Sequence, residues 1–139
     1  MMFLLDTDVA TLAYHNQPNV LGRIQTATRP VCLPIVTRLE LLRGRIEAVI
    51  KSANVQELLR AEDTLAKTEA FCSGFKIVAI GTAAAEFFVR LRSNKRVKKM
   101  GRGDLLNASI SLANNATLVT RNLKDYASVP GLKLENWAD

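Results

Sequence analysis

Four strings in this chain put an acid or an amide at the boundary of a structural element: LLDTDV at the N-terminus, TRLELLRG, GRGDLL and LVTRNLKDY. The groups are Asp6, Glu40, Asp104 and Asn122, with Asp125 just after the last and Asp8 just after the first. A carboxylate directly after an apolar strand, joined by others from distant sequence, is how an α/β fold builds a cation site at its strand ends. Two carboxylates about 4 Å apart repel by roughly 4 kcal/mol at an effective dielectric of about 20. Such a cluster either takes a proton, which raises a pKa, or binds a divalent cation. Oxygen ligands without imidazole or thiolate suit Mg²⁺ or Mn²⁺ better than Zn²⁺. An ion held so can orient water, lower its pKa and neutralise charge on a phosphodiester.

The rest of the composition narrows the chemistry. His15 is the only histidine, which excludes HExxH zinc chemistry and RNA cleavage by a histidine pair. Any hydrolase on this chain must work through carboxylates, a metal, or both. Cys32 and Cys72 lack CxxC spacing and sit in apolar strings, as small buried hydrophobes do in a reducing cytoplasm. Nineteen Lys and Arg against thirteen Asp and Glu give a formal net charge of +6. Much of the excess lies in one run, Arg90, Arg92, Lys95, Arg96, Lys98, Lys99 and Arg102, with no acid until Asp104. Some of these cations complement a helix C-terminus. The whole run exceeds what a cap requires and, with Arg121, suits a phosphate backbone held without base reading. An acidic protein partner is the other reading that the charge allows.

The elements that must position these groups follow from periodicity. Met2–Leu5 is continuously apolar, as in a strand covered on both faces; it reads as a buried first strand rather than a signal peptide. Thr7 or Asp8 is expected to cap a helix to about residue 15, leaving Asp6 for the site. Pro18 opens a second helix. Val31–Ile35 is a strand, and a helical pattern from Thr37 carries Leu39, Leu42, Ile46 and Ile50. That pattern places Glu40 in the first turn, directed inward. Residues 54–72 repeat Val55, Leu58, Leu59, Leu65 and Phe71 on or near one face. Phe75–Ile80 is a third strand and a helix from Thr82 precedes the basic run. Asp104 opens the next helix, which it can cap, and Asn115 closes it before strand Ala116–Thr120. Leu132–Leu134 is a short edge strand after Pro130-Gly131.

Strands alternating with helices imply one α/β domain over residues 1–139, an αβα sandwich around a mainly parallel sheet of four to five strands. In a parallel sheet the strand C-termini share one edge, so Asp6, Glu40, Asp104 and Asn122 can converge there, at the topological switch point. Asp125 is expected to order its loop or face solvent. Asn107, one turn beyond Asp104, either faces the site or is a satisfied core amide. No apolar run approaches the roughly 20 residues that span a bilayer.

Together the strings resemble a PIN domain of the VapC type, the ribonuclease toxins of bacterial toxin–antitoxin pairs, over essentially the whole chain. LLDTDV is similar to the family's LLDTNV, with Asp8 in place of asparagine. TRLELLRG resembles T-x-x-E-L-x-x-G, GRGDLL resembles G-x-x-D-L, and LVTRNLKDY…VPGLKLENW resembles the closing segment. The resemblance implies a Mg²⁺- or Mn²⁺-dependent endoribonuclease, often acting on structured RNA such as transfer RNA. It places the acidic triad on Asp6, Glu40 and Asp104, with Asn122 at a variable fourth acidic position where it would hold a second metal more weakly. Asp125 and Asp8 are lesser candidate ligands. Thr7, Thr37 and Thr120 match polar positions that hydrogen-bond the carboxylates. The resemblance also implies a homodimer, and an antitoxin whose C-terminal segment covers the active-site groove. Arg92, Lys95, Arg96, Lys98, Lys99, Arg102 and Arg121 are the expected RNA contacts. Because Asn122 carries no charge, a catalytically weak nucleic-acid- or protein-binding module on the same fold is the alternative.

Overall fold

The computed structural model describes residues 1–97 and 99–139. Five short strands form the centre: β1 (Phe3–Leu5), β2 (Val31–Pro34), β3 (Lys76–Val78), β4 (Thr117–Val119) and β5 (Lys133–Glu135). They pair in the order β3-β2-β1-β4-β5, every pair parallel. The helices are α1 (Thr7–Tyr14), α2 (Pro18–Thr26), α3 (Ile35–Lys51), α4 (Val55–Ser73), α5 (Thr82–Arg92), α6 (Arg102–Ala113) and α7 (Leu123–Tyr126).

Strand alternation sorts the core into two layers. Leu4, Cys32 and Leu118 face one way and join Ala84, Leu91, Leu105 and Ala108 of α5 and α6. Phe3, Leu5, Leu33 and Val119 face the other way and join Val9, Ala13 and Val20 of α1 and α2. Trp137 closes this second layer, edge-on to Phe3 at 4.9 Å. Its indole N–H donates to Glu135 Oε1 at 2.9 Å, the same oxygen that Arg23 reaches. The result is the expected αβα arrangement with all five strands parallel. Both cysteines are buried and unpaired. Among the described residues no helix is long and apolar enough to cross a membrane.

Several expected boundaries move. The third strand is shorter than Phe75–Ile80, and Ala79 and Ile80 are exposed beyond it on the sheet edge. The last strand starts one residue later than Leu132. The helix after β2 begins at Ile35 rather than Thr37, because Pro34, with φ −62° and ψ 147°, turns directly from strand into helix. Glu40 therefore lies in the second turn of α3. Asn115 does end α6, one residue past the Asn114 cap, in a left-handed conformation of φ 49°. The periodic apolar face of α4 packs less than expected: Val55, Leu58 and Leu59 are exposed, and only Thr68 and Cys72 are buried. Periodicity sets which residues share a face, but burial needs a surface opposite, and among the described residues the main neighbour of α4 is α3.

Candidate active site

β1 and β4 lie side by side at the sheet centre, where the strand order reverses. Asp6 leaves the C-terminal end of β1 with its N–H still bonded to Val119 O at 3.0 Å. Its side chain caps α1, accepting from Val9 N–H at 3.0 Å. Neither Thr7 nor Asp8 takes that role, contrary to expectation: the extended backbone at Asp6, with ψ 174°, is what aims its carboxylate at the first turn. Capping and site function coincide in one residue.

Thr7, freed from capping, donates its hydroxyl to Glu40 Oε1 at 2.6 Å. This bond draws α3 to the β1–α1 junction. Glu40 is half-buried although its neighbour Leu39 is exposed, so the inward side of α3, opened by the buried Val36 and Thr37, takes in Glu40 and excludes Leu39. On the other side, a β-carbon at Gly103 would stand 3.5 Å from Glu40 Oε2, so the backbone ahead of Asp104 lies against the same carboxylate. Asp104 sits at the third position of α6 and makes no cap; Gly101 occupies that place. Asp104 Oδ1 instead accepts the hydroxyl of Tyr126 at 3.0 Å. Tyr126 is bonded to Asp104 and lies within electrostatic reach of Asp6 and Glu40. Burial, then the charges of Asp104, Asp6 and Glu40, push its pKa well above the ordinary tyrosine value.

The electrostatics match a carboxylate cluster lacking a counter-charge. Asp6 is 5% exposed, and burial pushes its carboxyl up to about 6, with Asp8 and Asp104 adding repulsion against hydrogen bonds from Thr120 and Val9. Among the described residues the ion pairs are Arg23–Glu135 and Lys67–Asp63; neither involves Asp6, Glu40 or Asp104. As the side chains stand, no three acids, histidines or cysteines among the described residues lie in ligating geometry. Glu40 is turned to Thr7 and Asp104 to Tyr126, the orientation expected of like charges that relax onto nearby donors. An all-oxygen set of three carboxylates, one of them buried and unpaired, fits a hard divalent cation.

The remaining expected residues divide. Thr120 lies near enough to Asp6 to lower its pKa, and its hydroxyl oxygen accepts from Asn122 N–H at 3.0 Å. Thr37 is buried and donates to Leu5 O at 2.9 Å, tying α3 to the end of β1. All three threonines thus reach the carboxylates or the strand that carries them. Asn122 is exposed at the start of α7, and its amide donates to Asp8 Oδ2 at 3.3 Å. Asp125 is exposed and shares with Asp104 a cleft of about 290 Å³, lined also by Arg96, Lys99, Gly101 and Ser128.

Arg96 and Lys99 are therefore the basic-run residues placed beside Asp104. Arg92 and Arg102 lie over the Phe88 ring, at 5.7 and 5.9 Å, and Arg90 over Phe87. Lys95 and Arg121 are exposed. Lys98 lies outside the described residues. Asn107 is not the satisfied core amide of the second alternative: it is 1% exposed in the core, yet its Oδ1 has no hydrogen-bond partner. Sequence reasoning missed Tyr126, although it ends the quoted string LVTRNLKDY; a phenol in a closing segment carries no signal until its hydroxyl is placed.

No family model matches the chain. It is 30% identical over 146 residues to ribonuclease VapC2 of Rickettsia felis, covering 99% of this chain and 98% of that protein. It is 25% identical over 140 residues to the tRNA(fMet)-specific endonuclease VapC of Salmonella typhimurium, covering 99% and 98%. Among solved structures, VapBC2 from Rickettsia felis bound to a DNA fragment from their promoter superposes with a TM-score of 0.82 at 27% identity, over 99% of each chain. DNA-bound VapBC from Salmonella typhimurium gives 0.82 at 27%, over 99% and 98%.

Proposed function

Since this chain belongs to the VapC family of ribonucleases, we propose that it is a metal-dependent endoribonuclease toxin, a single nuclease domain neutralised by a cognate antitoxin. What supports the reading is the placement of Asp6, Glu40 and Asp104, from three distant segments, at one edge of the sheet, with the Gly103 backbone against Glu40, Asp104 raising the Asp6 pKa, and no ion pair to any of the three among the described residues. These three would hold Mg²⁺ or Mn²⁺. When bound, the ion supplies an activated water and neutralises charge on the phosphodiester.

The protein's own groups do the rest. Thr7 holds Glu40, Thr37 holds the end of β1, and Thr120 lies beside Asp6 and lowers its pKa. Arg96 and Lys99, on the cleft beside Asp104, hold phosphates of an RNA strand leaving the site. Structured RNA such as transfer RNA is the proposed substrate, by analogy with the Salmonella relative, which is a tRNA(fMet)-specific endonuclease. Asn122 adds an amide rather than a charge, and Asp8, in contact with it, supplies the missing carboxylate at the rim. Asp125 is a further rim acid. The buried unpaired thiols suit a reducing cytoplasm.

Partner surfaces flank the centre. A groove of about 630 Å³, lined by Val36, Leu39, Ile46, Leu106 and Gly103, runs along α3 to Glu40. We assign it to the antitoxin, consistent with solved relatives that are VapBC complexes. The exposed Val55, Leu58 and Leu59 of α4 are assigned to a homodimer.

The test is cleavage of a total RNA pool by the purified protein with Mg²⁺, Mn²⁺ or EDTA, beside an Asp104→Asn control. Metal-dependent cuts absent from the control are expected. Identical lanes for parent and control, at high protein and in both metals, would overturn the nuclease reading in favour of a binding module.

A further inference from the structure

Tyr126 is buried in the apolar layer between sheet and helices, in the same core cluster as Leu105, Ala108 and Val129. It lies at the end of α7, and its carbonyl accepts from Val129 N–H at 3.0 Å. The ring is thus a stiff stem rooted in the core, with two side-chain torsions and both restricted by packing. Only its hydroxyl meets polar groups, donating to Asp104 Oδ1 at 3.0 Å. Asp104 is otherwise exposed, and among the described residues its Oδ2 has no hydrogen-bond partner. An exposed aspartate on the first turn of a helix would ordinarily sample several rotamers.

We propose that Tyr126 is a positioning residue: its hydroxyl anchors Asp104 through Oδ1 and thereby presents Oδ2 to the divalent cation. The inference rests on the metal-site reading above and assigns a role to a residue that touches neither ion nor RNA. A core-rooted phenol suits this task better than an exposed polar side chain. Its orientation is set by packing rather than by solvent, and a neutral donor adds no charge to compete with a cation. Groups that orient metal ligands in this way typically change metal affinity 10- to 100-fold when removed. The bond also links the closing segment after β4 to the start of α6, so two of the segments that build the site are joined through one hydroxyl.

The experiment is a titration with Mn²⁺, with unbound ion counted by electron paramagnetic resonance, on the parent and on Tyr126→Phe. Thermal melting of both metal-free proteins accompanies it. Phenylalanine keeps the ring and removes only the donor. The expected result is a folded variant that binds Mn²⁺ at least tenfold more weakly. A merely structural tyrosine would lower the melting temperature and leave the affinity of the folded protein within threefold of the parent, which would overturn the proposal.

A second measurement does not depend on the variant folding. The chain has two tyrosines, so ¹³Cζ-tyrosine labelling gives one resonance for Tyr126 and one for Tyr14. Addition of Mg²⁺ is expected to move the Tyr126 signal and leave Tyr14 in place. A still Tyr126 signal, with Mg²⁺ demonstrably bound, would equally refute the role. A parent that binds neither ion at millimolar concentration would overturn the metal-site reading itself, and so separates the two failures.

Discussion

Replacing Asp6 by asparagine is expected to stabilise the metal-free protein at neutral pH and to remove its response to Mn²⁺. The carboxyl rises from 3.8 to about 6, chiefly through burial, and a displacement of that size corresponds to ~3 kcal/mol. The folded chain holds this proton more tightly than the unfolded one. Between pH 3.8 and about 6 it therefore binds more proton than the unfolded chain, and stability falls as pH rises through that window. Below it Asp6 is neutral in both states and there is no penalty; above it the full cost of the buried charge applies. Asparagine keeps the side-chain shape and still accepts from Val9 N–H, since the two residues rank together as helix caps.

Urea unfolding of parent and Asp6→Asn at about pH 4 and about pH 8 measures the difference directly. Near-equal stabilities are expected at the lower pH. The variant should lead by ~3 kcal/mol at the higher, which is about 10 °C in melting temperature for a chain of this size. Mn²⁺ at about 100 times its Kd should return ~3 kcal/mol to the parent alone and close the gap. A gap independent of pH, or a parent more stable than the variant at about pH 8 without metal, would refute the argument.

Two further outcomes test the surroundings of the site. Asn107→Leu should raise stability by about 1–3 kcal/mol, because it removes a buried carbonyl with no partner and fills the same space with an apolar group; a lower melting temperature would reveal a partner such as a bridging water. Neutralising Arg96 and Lys99 together should weaken RNA binding and reduce its salt slope by about 1.4, at about 0.7 per phosphate contact on a single strand. Neutralising Arg92 and Arg102, which lie over Phe88, should do less. Equal effects from the two pairs would sink the assigned path.

The strand positions were legible because a strand covered on both faces needs a nearly unbroken apolar string, as in Met2–Leu5 and Val31–Ile35, and Ala116–Thr120 departs from it only by β-branched threonines. Asp6 and Asp104 were legible because each stands where such a string or a helix begins or ends, whereas Glu40, in the second turn of α3, was legible from the inward side of the helical pattern. Their roles were less so. The cap of α1 fell to Asp6 rather than Thr7 or Asp8, since a backbone torsion and not a residue type selects the capping oxygen. Leu39 and the first turns of α4 carry an apolar period and are nonetheless exposed, because period says nothing about what stands opposite.

By itself, then, the chain order determined the alternation of strands and helices, the parallel sheet, and the exclusion of HExxH zinc chemistry and of a histidine pair, and it offered only oxygen ligands to a candidate site. Each depends on residues close together in sequence or on what the composition lacks. The tertiary structure alone decided that Thr7 serves Glu40, that Asn122 faces Asp8, that Arg96 and Lys99 rather than Arg92 and Arg102 flank Asp104, and that Tyr126 reaches Asp104. Those are contacts between segments joined by long stretches of chain. Their distances are set by how the helices pack across the sheet, and no local pattern encodes a hydroxyl within 3.0 Å of a carboxylate from another helix.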